Sequence, residues 1–178
     1  VLIGNVPLLE QYGIVNDAGA AVAANKLAAA GKTPMIVAVD EIVLGVIGVA
    51  DTIREDAPEM IRRLHASGVQ KVVMLTGDTR LVAEAIGEAV GIDEIHASLL
   101  PEDKLDAVAR LQREGHTVAM VGDGVNDAPA LATADIGVAM GAAGSAVAVE
   151  TADIALMGDN LLKLPEAISL AKRTVNVM

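Results

Sequence analysis

Two carboxylates, a carboxamide and two glycines follow a short apolar segment of the chain. The run is Met120-Val-Gly-Asp-Gly-Val-Asn-Asp127, in which Asp123 and Asp127 stand on either side of Asn126. The glycines permit a tight turn, so the polar oxygens would gather where a buried strand ends. Mg²⁺ binds through one or two carboxylates together with water and substrate phosphate, and this cluster suits it. The alternative is an ordinary solvated Asp/Asn/Gly turn.

A second apolar run, Val72–Leu75, ends in Thr76-Gly77-Asp78. The threonine hydroxyl and the unobstructed glycine N–H can together hold a phosphoryl oxygen, as backbone donors near a helix start often do. Asp78 has a second interpretation, because an acid in this place can simply cap the following helix.

Lys104 is the third feature of the sequence that could take part in the chemistry. Pro101 predicts a helix start, which places Lys104 in the first turn. A lysine there opposes the helix dipole, since the dipole favours anions at that end. A phosphate-facing ammonium explains the position better than a structural role does. The alternative is a surface lysine.

These elements, in this order, resemble the haloacid-dehalogenase-like phosphotransferases, and most closely the phosphorylation domain of P-type ATPases. That family carries Thr-Gly-Asp, then a lysine, then Gly-Asp-Gly-x-Asn-Asp, which match Thr76–Asp78, Lys104 and Gly122–Asp127. The run Asp51-Thr-Ile-Arg54 resembles the family's Asp-x-x-Arg element. Gly4-Asn5 resembles the last motif of the nucleotide-binding domain in heavy-metal-transporting members. The resemblance covers essentially the whole chain.

The resemblance implies a role for each residue of these motifs. Asp123 is expected to bind Mg²⁺ directly, and Asp127 to bind the metal through water or to orient the site. The phosphoryl group is expected to be held by four further residues: Lys104, Thr76, Gly77 and Asn126.

A second group of residues is expected to bind ATP. It consists of Gly4, Asn5, Asp51, Arg54 and Asp78. For the glycine and asparagine a plain turn is an equal alternative. For Asp51 and Arg54 the alternative is a solvated pair at a helix start.

The nucleophile of the family is absent from this sequence. It is an aspartate in Asp-Lys-Thr-Gly-Thr, and no such run occurs here. In the resembling fold its strand is central, between those of Val72–Thr76 and Val118–Val121. Neighbouring strands lie about 4.8 Å apart, so removing one leaves a gap of roughly 10 Å. We therefore interpret the chain as a C-terminal fragment of a larger pump and expect it to be inactive alone.

Alternating apolar runs and helical patterns predict an α/β fold, a haloacid-dehalogenase-like (Rossmann-like) parallel sheet with flanking helices that lacks the central strand. Ligands then lie at the carboxyl ends of the strands. We expect two units: residues 1–34 as a remnant of the nucleotide-binding domain, and residues 35–178 as the phosphorylation domain, running toward a membrane helix.

Composition excludes several classes of function. The formal net charge of −11 argues against nucleic-acid binding. The absence of cysteine excludes disulfides and thiolate metal sites. No segment reaches the ~20 apolar residues that span a bilayer. The membrane location, at the cytosolic face, is therefore implied for the parent protein by the resemblance.

The function implied is ATP-driven export of a divalent heavy metal through an aspartyl-phosphate intermediate, in the zinc/cadmium/lead-like class. Mg²⁺ and ATP are the implied cofactors, and the rest of the pump is the implied partner: the missing strand, the nucleotide-binding domain and the membrane helices. One alternative is a soluble haloacid-dehalogenase-like phosphatase. The other is a non-catalytic binding or split-protein module. The Asp51–Arg54 element and Gly4-Asn5 favour the pump.

Overall fold

The computed structural model describes residues 1–14, 18–50, 52–122, 125–140, 146–158 and 160–175. In chain order the elements are β1 Leu2–Gly4, α1 Val6–Gln11, α2 Ala18–Ala29, β2 Thr33–Val39, β3 Ile42–Val49, α3 Ala57–Ala66, β4 Val73–Leu75, α4 Arg80–Val90, β5 Glu94–His96, α5 Pro101–Arg113, β6 Ala119–Gly122, a 3₁₀ turn Val125–Asp127, α6 Ala128–Thr133, β7 Ile136–Met140, α7 Ala146–Thr151, β8 Ile154–Leu156 and α8 Lys163–Val175.

The first three strands form an antiparallel sheet in the order β1-β2-β3. Asp40 and Glu41 connect β2 to β3 with φ of 48° and 67°, the positive φ pair of a two-residue hairpin turn that matches strand twist. The inner face of this sheet packs against α1 through Leu9, Ile14, Ile36 and Ala38, all buried.

The outer face of the same sheet is also apolar. Its side chains are exposed at Ile3, Ile42, Leu44, Ile47 and Val49, with Leu44 67% exposed. Leu44 is the extra residue of a β-bulge, since Val43 pairs with Ala38 and Gly45 with Val37. Antiparallel sheets with one solvated face normally alternate apolar and polar side chains. This sheet is apolar on both faces, which is the composition expected of a sheet that has other structural elements packed on both faces.

The other strands are parallel, as predicted. They form two sheets, β4-β5 and β6-β7-β8, in which strands and helices alternate along the chain. The predicted α/β fold with flanking helices is confirmed. Within the described ranges no helix has both the length and the apolar character needed to cross a bilayer.

The sheet is interrupted between β4 and β6, where the sequence predicts a missing strand. In the described part of the chain β4 pairs only with β5, and β6 pairs only with β7 among the strands. Side-chain packing bridges the interruption instead, because Leu75 of β4 packs against a cluster that contains Val108 of α5 and Met120 of β6. The two halves therefore share a core without sharing backbone hydrogen bonds.

Three aspartates hold the amino ends of the parallel strands. In each case an acid just before one strand accepts a hydrogen bond from a backbone N–H at the start of its neighbour. The three pairs are Asp93 Oδ2 with Val72 N at 2.7 Å, Asp135 Oδ2 with Val118 N at 2.8 Å, and Asp153 Oδ2 with Gly137 N at 2.8 Å.

Asp93 follows Gly91, the αL residue that ends α4, where the sequence predicts a solvated turn residue. The side chain is exposed. Its carboxylate also accepts from the Val72 N–H and lies 3.2 Å from His65 Nε2. The contacts come from segments distant in the sequence, and for that reason the local pattern did not reveal them.

The unit boundary predicted after residue 34 falls inside β2, which spans Thr33–Val39. Strand pairing joins β1, β2 and β3 into one sheet that ends at Val49. The change from antiparallel to parallel pairing thus lies between β3 and β4, beyond the predicted position.

We expect Asp135→Ala to remove a pH-dependent part of the stability. The Val118 N–H is the main cause that lowers the pKa of the Asp135 carboxyl below its ordinary value. The stabilisation is fully present above the unfolded pKa of about 3.9 and is lost as pH falls through the lowered folded pKa. Urea unfolding between pH 7 and pH 2.5 measures it.

The matched control is Asp106→Ala, because Asp106 is an exposed acid on α5. The control should keep the acid dependence of the parent chain, whereas Asp135→Ala should be less stable at pH 7 and show a shallower loss below pH 4. Identical pH profiles for all three proteins would contradict the assigned contact.

Candidate active site

The Thr76-Gly77-Asp78 loop follows β4 directly and is held from both sides by backbone hydrogen bonds. Thr76 N donates to His96 O at 3.0 Å, and Leu99 N donates to Thr76 O at 3.0 Å. Ser98 N donates to the Asp78 carbonyl at 2.7 Å. The loop is thereby joined to the segment that leads into α5, the helix that carries Lys104.

Within the loop the Thr76 hydroxyl and the Asp78 carboxylate are mutually bonded. Asp78 N donates to Thr76 Oγ1, and Thr76 Oγ1 donates to Asp78 Oδ2, both at 3.1 Å. The residue before α4 is Thr79, which caps it without a side-chain hydrogen bond. The Asp78 side chain thus orders the loop rather than the helix end.

Gly77 lies close to the segment that leads into α5. A Cβ at this position would lie 3.4 Å from the carbonyl oxygen of Leu99, at the short limit of ordinary van der Waals contact. The local geometry therefore gives no strong steric reason for a glycine here.

Lys104 lies in the first turn of α5, as predicted, and its Nζ is 2.8 Å from Asp127 Oδ1. The two side chains are only 18% and 14% exposed. A lysine this well covered is not a surface lysine. Removing charges from water is costly unless they are paired, and here each of the two side chains has the other as its partner. Val108, one turn further along α5, is buried in the core and anchors the helix.

Asp127 packs directly against Gly122 at the end of β6. A Cβ on Gly122 would lie 2.7 Å from Asp127 Cβ and 2.9 Å from its Oδ2. No side chain fits there without moving the carboxylate. The 3₁₀ turn Val125–Asp127 and the following α6 carry the acid back toward the strand. Asn126 lies in the same turn and is exposed.

Two predicted site residues, Asp123 and Asp51, lie outside the described residues. The assignment of Asp123 as a direct Mg²⁺ ligand stays a prediction. Among the residues that the structure describes, no three acidic or histidine side chains converge as a metal-binding group. Asp127 Oδ1 is already engaged by an ammonium, which suits an acid that reaches a metal through water better than one that binds it directly.

Gly4 and Asn5 have structural roles in the antiparallel sheet. Gly4 ends β1 opposite Ile36, and Asn5 Oδ1 accepts from Leu8 N at 3.1 Å as the N-cap of α1. Arg54 is exposed in the connection before α3. The turn interpretation of Gly4 and Asn5 therefore has a direct physical basis, while nucleotide binding by these three residues stays a prediction.

Sequence reasoning missed one polar residue of this site. Thr33, the first residue of β2, donates from Oγ1 to Asp78 Oδ1 at 3.3 Å. The two are 45 residues apart in the sequence, and a lone threonine at the start of a strand carries no signal of such a contact.

Comparison with known proteins places this geometry in a family. The model of the haloacid dehalogenase-like hydrolases matches residues 1–135, about three-quarters of the chain. The chain belongs to the haloacid dehalogenase-like hydrolases. The match includes the Thr76–Asp78 loop, Lys104 and Asp127.

Among these hydrolases the relatives are metal-transporting ATPases. A probable cadmium-transporting ATPase of Staphylococcus aureus is 53% identical over 148 residues, 83% of this chain and 20% of that protein. A zinc-exporting P-type ATPase of Mycobacterium marinum is 47% identical over 178 residues, 100% of this chain and 24% of that protein. The predicted resemblance to heavy-metal P-type ATPases is confirmed. The chain spans a fifth to a quarter of the length of these relatives.

A solved structure supports the same relation. The crystal structure of a zinc-transporting PIB-type ATPase in its E2.Pi state aligns with a TM-score of 0.74 and 44% sequence identity. The alignment covers 90% of this chain and 26% of that one. The fold of this chain thus matches a part of a much longer protein.

We expect Gly122→Ala to destabilise the chain by about 1–3 kcal/mol, the usual cost of overpacking a tight site. The added methyl must displace the Asp127 side chain, and with it the contact to Lys104. The control is Gly45→Ala, since a Cβ at Gly45 meets nothing within 4 Å. Thermal unfolding compares the two. Equal melting temperatures would contradict the close approach of Asp127 to β6.

Proposed function

We propose that this chain is the part of an ATP-driven heavy-metal exporter that holds Mg²⁺ and the phosphoryl group during transfer to an aspartate. The observation that carries the proposal is the half-buried ion pair between Lys104 and Asp127. It lies beyond the carboxyl end of β6, next to the loop that follows β4. In parallel α/β sheets this edge is where ligands bind.

Lys104 is proposed to neutralise the phosphoryl oxygens. A compact ammonium acts as a point charge toward phosphate, and phosphoryl transfer depends mainly on positioning and charge stabilisation. In the absence of substrate, Asp127 is the partner of the Lys104 ammonium, so the lysine charge is not left unpaired. An incoming anion would then share or replace the carboxylate as its partner.

Thr76, Gly77 and Asn126 are proposed to contact the phosphoryl group. The Thr76 hydroxyl follows the end of β4 and is half-buried. Asn126 is exposed in the turn that carries Asp127, so its carboxamide is accessible to a ligand. Both therefore lie on segments next to the Lys104–Asp127 pair.

Mg²⁺ is proposed to bind at Asp123 directly and at Asp127 through water. The hard carboxylate oxygens of this loop fit the ion's preference. When bound, Mg²⁺ supplies positive charge beside the transferring group. The contribution of the chain itself is to place Asp127 against Gly122, so that the loop between them has a defined start and end.

ATP binding is proposed for five residues, namely Gly4, Asn5, Asp51, Arg54 and Asp78. We propose that the antiparallel sheet, residues 1–49, is the remnant of a nucleotide-binding domain and that the phosphorylation domain follows it. The composition supports this division, since the outer face of the sheet is apolar and exposed, as expected where the rest of such a domain would pack.

The partner proposed for the chain is the remainder of the exporter, with this part at the cytosolic face of the membrane. The unpaired edges of β4 and β6 support a strand between them, and the family's nucleophile strand is the one expected there. Nucleic acid is not an expected partner because the net charge is −11. A soluble phosphatase is less well supported, because the relatives described above are named as transporters.

In the complete protein that contains this chain, we expect Lys104→Met to lower the rate of Mg²⁺-dependent phosphorylation by about 100-fold, as the loss of one preorganised charge-stabilising group commonly does. The matched control is Lys26→Met, because Lys26 is an exposed lysine on α2. Acid-quenched incorporation of label from ATP measures both variants. Equal rates for the two lysine variants would remove Lys104 from the site.

For the 178-residue chain, we expect a synthetic apolar strand ending in Asp-Lys-Thr-Gly-Thr to raise the melting temperature and suppress association. The unpaired edges of β4 and β6 invite pairing with other chains, and a donated strand would satisfy their backbone groups. Thermal unfolding and light scattering with and without peptide test this. The control peptide has the same composition in scrambled order. A monomeric chain that ignores both peptides would show that the interruption accepts no strand.

A further inference from the structure

One hydrogen bond connects the antiparallel sheet to the Thr76–Asp78 loop. Thr33 Oγ1 donates to Asp78 Oδ1 at 3.3 Å, between partly buried side chains. Thr33 begins β2 and is paired with Val49, which ends β3. The bond therefore lies at the end of the sheet where the chain leaves it toward α3 and β4.

A second contact accompanies this bond. The helix that precedes β2, α2, packs against α4. The segment that leads into β2 thus lies against α4, while Thr33 reaches Asp78, which stands directly before the N-cap Thr79 of the same helix. Both contacts would change together if the antiparallel sheet moved relative to α4.

The Asp78 carboxylate has one described partner for each oxygen. Oδ1 accepts from Thr33, and Oδ2 accepts from the Thr76 hydroxyl. Because the two oxygens belong to one planar group, fixing one of them fixes the direction of the other. The Thr76 hydroxyl has a single proton, which it donates to Oδ2, and it also accepts from Asp78 N. The orientation of Thr76 therefore depends on a bond made by Thr33.

We propose that Thr33 is a positioning residue for phosphoryl transfer, acting through Asp78 on the Thr76 hydroxyl. The inference rests on the proposed function, since it takes Thr76 to contact the phosphoryl group. Thr33 itself touches no reacting atom. Its position couples the placement of the antiparallel sheet to the geometry of the Thr76–Asp78 loop. The Thr76 hydroxyl is therefore oriented for transfer only when the sheet lies in its observed position relative to α4.

The variant that isolates this role is Thr33→Val. Valine keeps the β-branched shape that a strand favours and removes only the hydroxyl. Thr33→Ser keeps the hydroxyl and should retain the function. The control is Thr117→Val, because Thr117 is an exposed threonine just before β6.

In the complete protein, we expect Thr33→Val to lower the phosphorylation rate at saturating ATP by about three- to tenfold, the range of one lost hydrogen bond of ordinary strength. The rate should fall by a larger factor than the KM for ATP rises, because the bond orients the Thr76 hydroxyl; a rise in KM with an unchanged rate would assign Thr33 to nucleotide binding through Asp78 and overturn the proposal. Thr33→Ser and Thr117→Val should react at the parental rate. A parental rate for Thr33→Val, or an equal loss with Thr33→Ser, would overturn the proposal.

A double-mutant cycle tests the route through Asp78. If Thr33 acts only through that carboxylate, Thr33→Val should have no further effect on the rate in an Asp78→Ala background. Additive losses would show that Thr33 acts by another path, and the proposal would be wrong.

A measurement on the 178-residue chain separates this inference from the proposed function. The backbone amide of Asp78 donates to Thr76 Oγ1, so its proton resonance reports the threonine orientation. We expect Thr33→Val to shift this resonance and Thr33→Ser to restore it. An unshifted resonance would overturn the positioning role. A shifted resonance in a protein that ATP never phosphorylates would instead overturn the proposed function and leave the coupling in place.

Discussion

The half-buried pair of Lys104 and Asp127 is the constraint on which the rest of the site depends. Neither charge is tolerable in so covered a position without the other, so the first turn of α5 and the turn before α6 must meet. Val108 anchors α5 in the core, and Gly122 leaves room for the carboxylate at the end of β6. The requirement for glycine at position 122 thus comes from the position of Asp127, five residues later.

The interrupted sheet sets a second constraint. A continuous parallel sheet distributes its stability along an unbroken ladder of hydrogen bonds. Here the described parts of the two halves are joined by side-chain packing, in one cluster around Leu75 and Met120 and in a second around Leu64 and Val138. The aspartates before β5, β7 and β8 compensate locally, because each joins two neighbouring strands at their amino ends. The carboxyl ends, where the site lies, have no such reinforcement from these acids and depend on loop contacts such as those of Ser98 and Leu99.

The antiparallel sheet meets the rest of the molecule close to this same edge. Its hydrogen bond from Thr33 to Asp78 lies within the Thr76–Asp78 loop itself. A displacement of the sheet would therefore affect Thr76 through two hydrogen bonds, from Thr33 to Asp78 and from Thr76 to Asp78. The proposed coupling between the sheet and Thr76 needs only the Asp78 carboxylate, which Thr33 and Thr76 both contact.

Much of the fold was predictable because its signals are local. The β2–β3 hairpin, the apolar strands β4 and β6, and the helix ends at Gly31 and Gly91 follow from apolar runs and from glycines with positive φ. β5 was not predicted, because Glu94-Ile-His96 is short and polar and becomes a strand only by pairing with β4. The short α6 and α7 likewise lack the length for a helical pattern.

The same division holds for the site. The sequence by itself determined which residue types stand after β4 and β6 and at the start of α5, since motif spacing and helix signals are properties of neighbouring residues. Only the tertiary structure decided that Lys104 pairs with Asp127, that Gly122 must lack a side chain, that Asp93 holds Val72, and that Thr33 reaches Asp78. These are contacts between segments brought together by packing, and the partner of a polar atom across such a distance leaves no trace in the residues beside it.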